Sequence, residues 1–251
     1  FTNQRASALK WYEAQLTQSG ADLVVTPETA LPMATQHLPE GYWSGLVSHF
    51  SASAQAALIG VPHLEGGLYH NSAVGLHAGA PYRYDKSHLV PFGEFVPPMF
   101  RWFTQMMNIP LGDFGRGTPT PPNFDVAGQR LALNICYEDL FGEELALRFR
   151  DPRQSPTLLV NMSYLAWFGN TVALDQHLAI SRLRALELAR PMIRATNTGT
   201  TAIIDHRGQV THRLPPETRG VLEGEVLGQA GPPTFFARWA GRWGLGPLWV
   251  F

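Results

Sequence analysis

Three short strand-like runs, each ending on a residue that can do chemistry, set the tightest limit on how this chain folds. They are Leu23-Val-Val-Thr-Pro-Glu28, Tyr82-Arg-Tyr-Asp-Lys86 and Leu131-Ala-Leu-Asn-Ile-Cys136. Runs of this length bounded by polar residues read as strands, and a side chain at the end of a buried strand is held rigidly yet can face an opening. Together they offer a carboxylate, an ammonium and the chain's single thiol. Glu28 and Lys86 are 58 positions apart (86 − 28) and Lys86 and Cys136 are 50 apart (136 − 86), so only a tertiary fold brings them together.

The rest of the pattern alternates helix and strand. Helices are expected at 5–18, 41–57, 142–150 and 171–190, and strands at 23–26, 58–61, 71–77, 81–86, 130–136 and 157–162. The last third turns strand-rich, at 192–196, 200–204, 209–214 and 221–226, with a hairpin turn at 205–208. Such a mixture predicts layered α/β packing of mixed sheets rather than a simple parallel sheet. With 251 residues and 45% hydrophobic content there is enough chain for one large core, and the Pro- and Gly-rich stretch at 110–122 reads as a long loop inside it.

Composition narrows the chemistry. A net charge of −1 and the lack of a basic run interleaved with aromatics give no footprint for nucleic acid. Nine histidines without His-x-His or His-Glu-x-x-His spacing, and one cysteine, imply neither a metal nor a cofactor. The run at 112–117 lacks the strand and helix that frame a phosphate loop, and there is no Gly-x-Ser-x-Gly elbow. Cys136 is therefore the candidate nucleophile, Glu28 the candidate general base and acid, and Lys86 the candidate oxyanion stabiliser, with a backbone N–H near Tyr137 in support. Each position also has a plainer reading: a small buried hydrophobe, a helix-start acid and a solvated lysine.

The motifs Thr26-Pro-Glu-Thr-Ala-Leu-Pro32, Tyr84-Asp-Lys-Ser-His-Leu-Val-Pro-Phe-Gly-Glu-Phe-Val-Pro97 and Asn134-Ile-Cys-Tyr-Glu-Asp139 resemble the Glu-Lys-Cys signature of the nitrilase superfamily. More narrowly, they are similar to the extracytoplasmic domain of the bacterial apolipoprotein N-acyltransferases. The similarity continues through Ala166-Trp-Phe-Gly169, Gln176-His177, Arg182-Leu-Arg-Ala-Leu-Glu-Leu-Ala-Arg-Pro191 and Arg194-Ala-Thr-Asn-Thr-Gly199. A departure is Asn161-Met-Ser-Tyr-Leu-Ala-Trp167, where many members have Asn-Asp-x-Trp-Phe-Gly.

That resemblance implies a nitrilase-like α-β-β-α sandwich over 1–230 and a Glu28, Lys86 and Cys136 triad supported by Glu94, Tyr137 and Glu138. It implies an acyl group carried from phospholipid, as a Cys136 thioester, to the α-amine of a diacylglyceryl-cysteine apolipoprotein. It also implies a bacterial inner membrane enzyme whose catalytic domain faces the periplasm, with transmembrane helices that this chain lacks. The same triad with water as the second nucleophile would make a soluble nitrilase-type amidase, and a silent lipoprotein-binding module is a third reading.

Two apolar segments suit a membrane-linked substrate. The aromatic and methionine-rich run at 97–111, with Trp102 and Phe103, could shelter an acyl chain, and Trp167 and Phe168 could line the same region. The segment 231–251 mixes aromatics with Arg238 and Arg242, as at a membrane boundary. Being Gly-rich, it is expected to lead toward a missing membrane span rather than to form a stable helix.

Overall fold

The computed structural model describes residues 2–100 and 113–246, and residues 2–4 and 100 by backbone alone. Trp102, Phe103 and most of the 97–111 segment lie outside the described residues. Helix α1 (Thr2–Gln18), strand β1 (Leu23–Val25), helix α2 (Tyr42–Ser51) and strands β2 (Ala56–Glu65), β3 (Leu68–Leu76) and β4 (Tyr82–Asp85) form the first half. The second contains β5 (Phe124–Val126), β6 (Gln129–Ile135), α3 (Gly142–Ala146), β7 (Leu158–Ser163), α4 (Ala173–Leu188), β8 (Met192–Thr196), β9 (Ala202–Ile204), β10 (Val210–Arg213) and α5 (Phe235–Trp243).

The strands make two mixed sheets. One runs β1-β2-β3-β4 and the other β10-β9-β8-β7-β6-β5. Parallel pairing is confined to β1 with β2 and to β6, β7 and β8, while the other neighbours are antiparallel. The period-2 alternation of strands decides the layering. Leu58 on β2, Leu131, Leu133 and Ile135 on β6, and Leu158, Val160 and Met162 on β7 share one core between the sheets. Their neighbours face outward: Ala57 and Ile59 pack with Leu9, Leu16, Leu46 and Phe50 of α1 and α2. On the opposite side Ala132 and Leu159 pack with Leu145, Ala185, Leu188, Ala237 and Ala240 of α3, α4 and α5. Helix, sheet, sheet, helix is the expected sandwich.

Three elements differ from expectation. Helix α2 ends at Ser51, because Ala56 and Ala57, expected in the helix, are taken into a parallel ladder with Leu23 and Val24. Residues 221–226 have the apolar spacing of a strand but no ladder partner among the described residues. Val226 packs on the inter-sheet core, and the segment borders a cleft of about 1270 Å3 whose other walls include Trp11, Leu23, Val25 and Ile193. A strand needs a free edge within reach as well as alternation.

The third correction concerns the C-terminal segment, which does form a helix. Thr234 caps α5 by accepting from the Ala237 N–H at 3.0 Å, and Ala237, Ala240 and Gly241 are buried. Gly241 is required there, since a Cβ would lie 2.5 Å from the Ala146 carbonyl oxygen of α3. The low helix propensity of glycine is overridden by this close helix contact. Residues 247–251 lie outside the described residues. No helix among the described residues is long and apolar enough to cross a membrane.

Candidate active site

Strand β6 delivers Cys136 to the C-terminal end of its sheet, where the chain turns at once into the short 3-10 helix Cys136–Leu140. Cys136 makes the turn with φ at +51°, in the left-handed region where a side chain is strained by roughly 1–3 kcal/mol. Two neighbours hold it. Asn161 Nδ2 donates to the Cys136 carbonyl at 3.4 Å, and the Ile135 N–H donates to Glu138 Oε2 at 2.7 Å. The thiol is buried, 4.0 Å from the Tyr164 carbonyl and 4.0 Å from His177 Nε2.

Glu28 arrives from the other sheet, just beyond β1. The segment Pro27-Glu28-Thr29 lies directly on β2 at Gly60, where a Cβ would stand 2.1 Å from the Pro27 carbonyl oxygen and 2.9 Å from the Glu28 Cα. Only glycine admits that approach. The buried carboxylate of Glu28 accepts from Asn71 Nδ2 at 2.6 Å and Lys86 Nζ at 3.5 Å on Oε1, and from the Tyr164 N–H at 2.6 Å on Oε2. Tyr164 therefore bridges the site through its backbone, its N–H on the carboxylate and its carbonyl toward the sulfur. This gives a backbone role to the stretch that departs from the usual family pattern.

Lys86 follows β4 and is 1% exposed, the fate of a paired lysine rather than a solvated one. Its ammonium lies 2.9 Å from Glu94 Oε2, 3.0 Å from Glu94 Oε1 and 3.5 Å from Glu28. Asn71, on β3, ties the two carboxylates together by donating its second amide hydrogen to Glu94 at 2.6 Å. The Val90 N–H holds the other oxygen of Glu94 at 2.8 Å.

The electrostatics make one coupled unit. Burial raises the Glu28 carboxyl, opposed by Lys86 and the Asn71 bond, with Glu94 adding a smaller upward push. Proximity of Glu94 is thus a secondary cause of the rise. Burial and then Glu28 push the Cys136 thiol up to about 12, against Lys86. Burial would lower Lys86, but Glu28 and Glu94 outweigh it and keep the ammonium charged. The resting site is therefore a neutral thiol, a charged lysine and a carboxylate that binds a proton more readily than usual. When the proton passes from sulfur to Glu28, the charge that opposed ionisation disappears and the thiolate is left beside Lys86.

Glu138 is buried, but its carboxylate faces away from the sulfur. It accepts from Tyr84 Oη at 2.5 Å, the Ile135 N–H at 2.7 Å, the Ser87 N–H and hydroxyl at 2.7 and 2.9 Å, and the His88 N–H at 3.1 Å. It ties the segment carrying Lys86 to the turn carrying Cys136. The Tyr137 ring packs on His88 and Phe141, and its amide, second in the 3-10 turn, falls among the N-terminal amides that have no intrahelical acceptor. That leaves the N–H beside the sulfur available to an oxyanion.

Trp167 and Phe168 stand on the turn Ala166–Phe168 just past Tyr164, 79% and 49% exposed. With Tyr164, which packs edge-on against Trp167 and whose carbonyl approaches the sulfur, and Val172 they make an exposed apolar ledge along 164–172. Among the contributors to the site that went unassigned in the sequence are Asn71, Asn161 and Tyr164. All are ordinary strand or turn residues in the sequence, and nothing in their spacing announces the bonds they make. No group of three or more potential metal ligands occurs among the described residues.

The family model for carbon-nitrogen hydrolases matches residues 2–230. An apolipoprotein N-acyltransferase of Verminephrobacter eiseniae is 59% identical over 250 residues, covering 96% of this chain and 47% of the relative. One from Ralstonia nicotianae is 50% identical over 231 residues, covering 91% and 44%. The chain thus spans about half the length of the curated relatives it matches. Among solved structures, a carbon-nitrogen hydrolase superfamily protein from Xanthomonas campestris with an arsenic adduct in its active site superposes with a TM-score of 0.66 at 18% identity, covering 87% of this chain and 84% of that one. A carbon-nitrogen hydrolase from Helicobacter pylori gives 0.63 at 17%, covering 86% and 82%. Matched across nearly its whole length and folded as the family folds, the chain belongs to the carbon-nitrogen hydrolases.

Proposed function

We propose that this chain is the catalytic domain of an apolipoprotein N-acyltransferase, using Glu28, Lys86 and Cys136. The observation that carries the reading is 59% identity, over 96% of the chain, to a relative bearing that name. The buried cluster of carboxylate, ammonium and thiol supports it, because acyl transfer through sulfur needs those three groups and no cofactor.

In the first half-reaction Glu28 takes the Cys136 proton as sulfur attacks an ester carbonyl of a phospholipid. The tetrahedral oxyanion is met by Lys86 and the Tyr137 N–H. Glu28 then returns the proton to the departing lysophospholipid oxygen as the carbon–oxygen bond breaks, leaving a thioester. In the second, the α-amine of a diacylglyceryl-cysteine apolipoprotein attacks the thioester and gives a proton to Glu28. The carbon–sulfur bond breaks, the amide forms and the thiol is restored. Glu94 and Asn71 position Glu28 and Lys86, and Glu138 fixes their distance from the sulfur. The ledge of Trp167 and Phe168 guides the acyl chain, and the domain works at the periplasmic face of the bacterial inner membrane.

Intact-protein mass spectrometry of the full-length protein incubated with phospholipid, beside its Cys136→Ala variant, tests this. An acyl mass on the wild type alone, lost on adding a diacylated lipopeptide, is expected. A wild type that takes no acyl group and instead hydrolyses small amides would overturn it.

A further inference from the structure

We propose that His177 is a hydrogen-bond donor to the Cys136 sulfur, held in its donating tautomer by Arg194, and that it stabilises the thiolate as it attacks and again as it leaves. The proposal rests on Cys136 being the nucleophile. It concerns a residue that the steps above do not use.

The tautomer follows from what each partner can do. Helix α4 carries the His177 ring beneath the turn, with Nε2 4.0 Å from Sγ and Nδ1 2.9 Å from Arg194 Nη1. A guanidinium only donates, so Nδ1 must accept. A neutral imidazole has one N–H, which then sits on Nε2 and points at the sulfur. Asp139 Oδ2, 3.6 Å from Nδ1, does not compete: it is farther than Arg194 and already accepts from the Ser181 hydroxyl at 2.6 Å. Burial and then Arg194 push the imidazole down to about 3, so the ring stays neutral across the working range.

Arg194 is itself fixed. It is fully buried on β8, its two Nη1 hydrogens shared among His177 Nδ1, Asn161 Oδ1 at 2.9 Å and Ser181 Oγ at 2.7 Å, while Nε donates to the Thr200 carbonyl at 3.2 Å. Its neighbour Asn161 also donates to the Cys136 carbonyl, so one network orients both the ring and the turn. A 4.0 Å contact is long for a neutral thiol, and a thiolate draws such a donor closer.

The sulfur needs this donor because Lys86 is shared. The ammonium is held at 2.9 and 3.0 Å by Glu94 and at 3.5 Å by Glu28, so much of its field is spent on carboxylates. The charged groups facing the thiol are Glu28 and Lys86 from the first sheet, Asp139 from its own turn and Arg194 from β8, and Arg194 reaches it through the ring. When Glu28 takes the proton, sulfur is left with Lys86 on one side and the His177 N–H on the other. When the thioester carbon–sulfur bond breaks, the electron pair returns to sulfur between the same two donors.

The test is the pH dependence of alkylation by iodoacetamide in the full-length protein, followed at the Cys136 peptide by mass spectrometry. His177→Leu, similar in size without a donor, is expected to slow alkylation about tenfold at each pH between about 7 and 9, since less of the thiol is ionised at any given pH. His177→Gln, whose amide oxygen can accept from Arg194 while its nitrogen donates to sulfur, is expected to recover most of the rate. A His177→Leu thiol with the wild-type profile overturns the proposal, as does a Gln variant as slow as Leu, which would make the ring a space-filler. Acyl transfer surviving in Cys136→Ala would defeat the nucleophile reading instead, so the two failures are distinguishable.

Discussion

The proposed nucleophile, Cys136, is a poor one at rest because of its surroundings. A thiol pushed up to about 12 is almost wholly protonated at neutral pH, so it ionises only in concert with proton uptake by Glu28. Glu28→Gln keeps the shape and the Asn71 and Lys86 neighbours but cannot take the proton. It is expected to lower acyl-enzyme formation by roughly 100-fold or more, measured as the rate of thioester appearance. Asp139 offers a separate check on the buried charges. Its carboxyl is raised from the usual 3.8 to about 6 by burial, against Arg194. A raised carboxyl holds its proton in the folded state while the unfolded chain releases it, so its stabilising share is full below pH 4 and lost as pH rises through 6. Asp139→Asn stays neutral throughout. In urea titrations the advantage of the wild type over Asp139→Asn should shrink by about 2 kcal/mol between pH 4 and 7. A difference that does not change with pH would count against a protonated Asp139.

At the scale of elements, the site depends on where strands end and how closely loops lie on them. The Pro27-Glu28-Thr29 segment sits against β2 because Gly60 has no side chain, and Gly60→Ala must push it off. The expected result is a loss of about 1–3 kcal/mol in urea unfolding together with a fall in acyl transfer larger than stability alone explains. Gly241 plays the matching part between α5 and α3, away from the chemistry. Gly241→Ala should cost similar stability and leave the rate of thioester formation in the folded fraction near wild type, separating displacement of Glu28 from displacement of a helix.

Across the whole molecule, the two sheets meet so that each supplies half of the site: Glu28, Asn71, Lys86 and Glu94 from one side, Cys136, Tyr164 and His177 from the other. Trp167, Phe168 and Val172 are exposed, and the proposed function lays the acyl chain on them. Replacing Trp167 and Phe168 with serine is expected to raise the phospholipid concentration for half-maximal rate by roughly tenfold, measured with mixed micelles, as about 2 kcal/mol of apolar contact is lost. An unchanged concentration dependence would mean that the acyl chain lies elsewhere.

The sequence by itself determined the strand-ending residues Glu28, Lys86 and Cys136, the alternation that makes a layered α/β sandwich, and the family motifs around them. Those are local properties: a strand's period, a turn's residues and a short motif are written within a few positions. Tertiary structure alone decided that Ala56 and Ala57 leave a helix for a ladder, that residues 221–226 find no edge, and that the glycine-bearing C-terminal segment is a helix. It alone decided that Asn71 ties two carboxylates together, and that Arg194 makes His177 a donor. Each of these depends on a partner 17 to 43 residues distant, or on an edge or helix that exists only once the layers have packed.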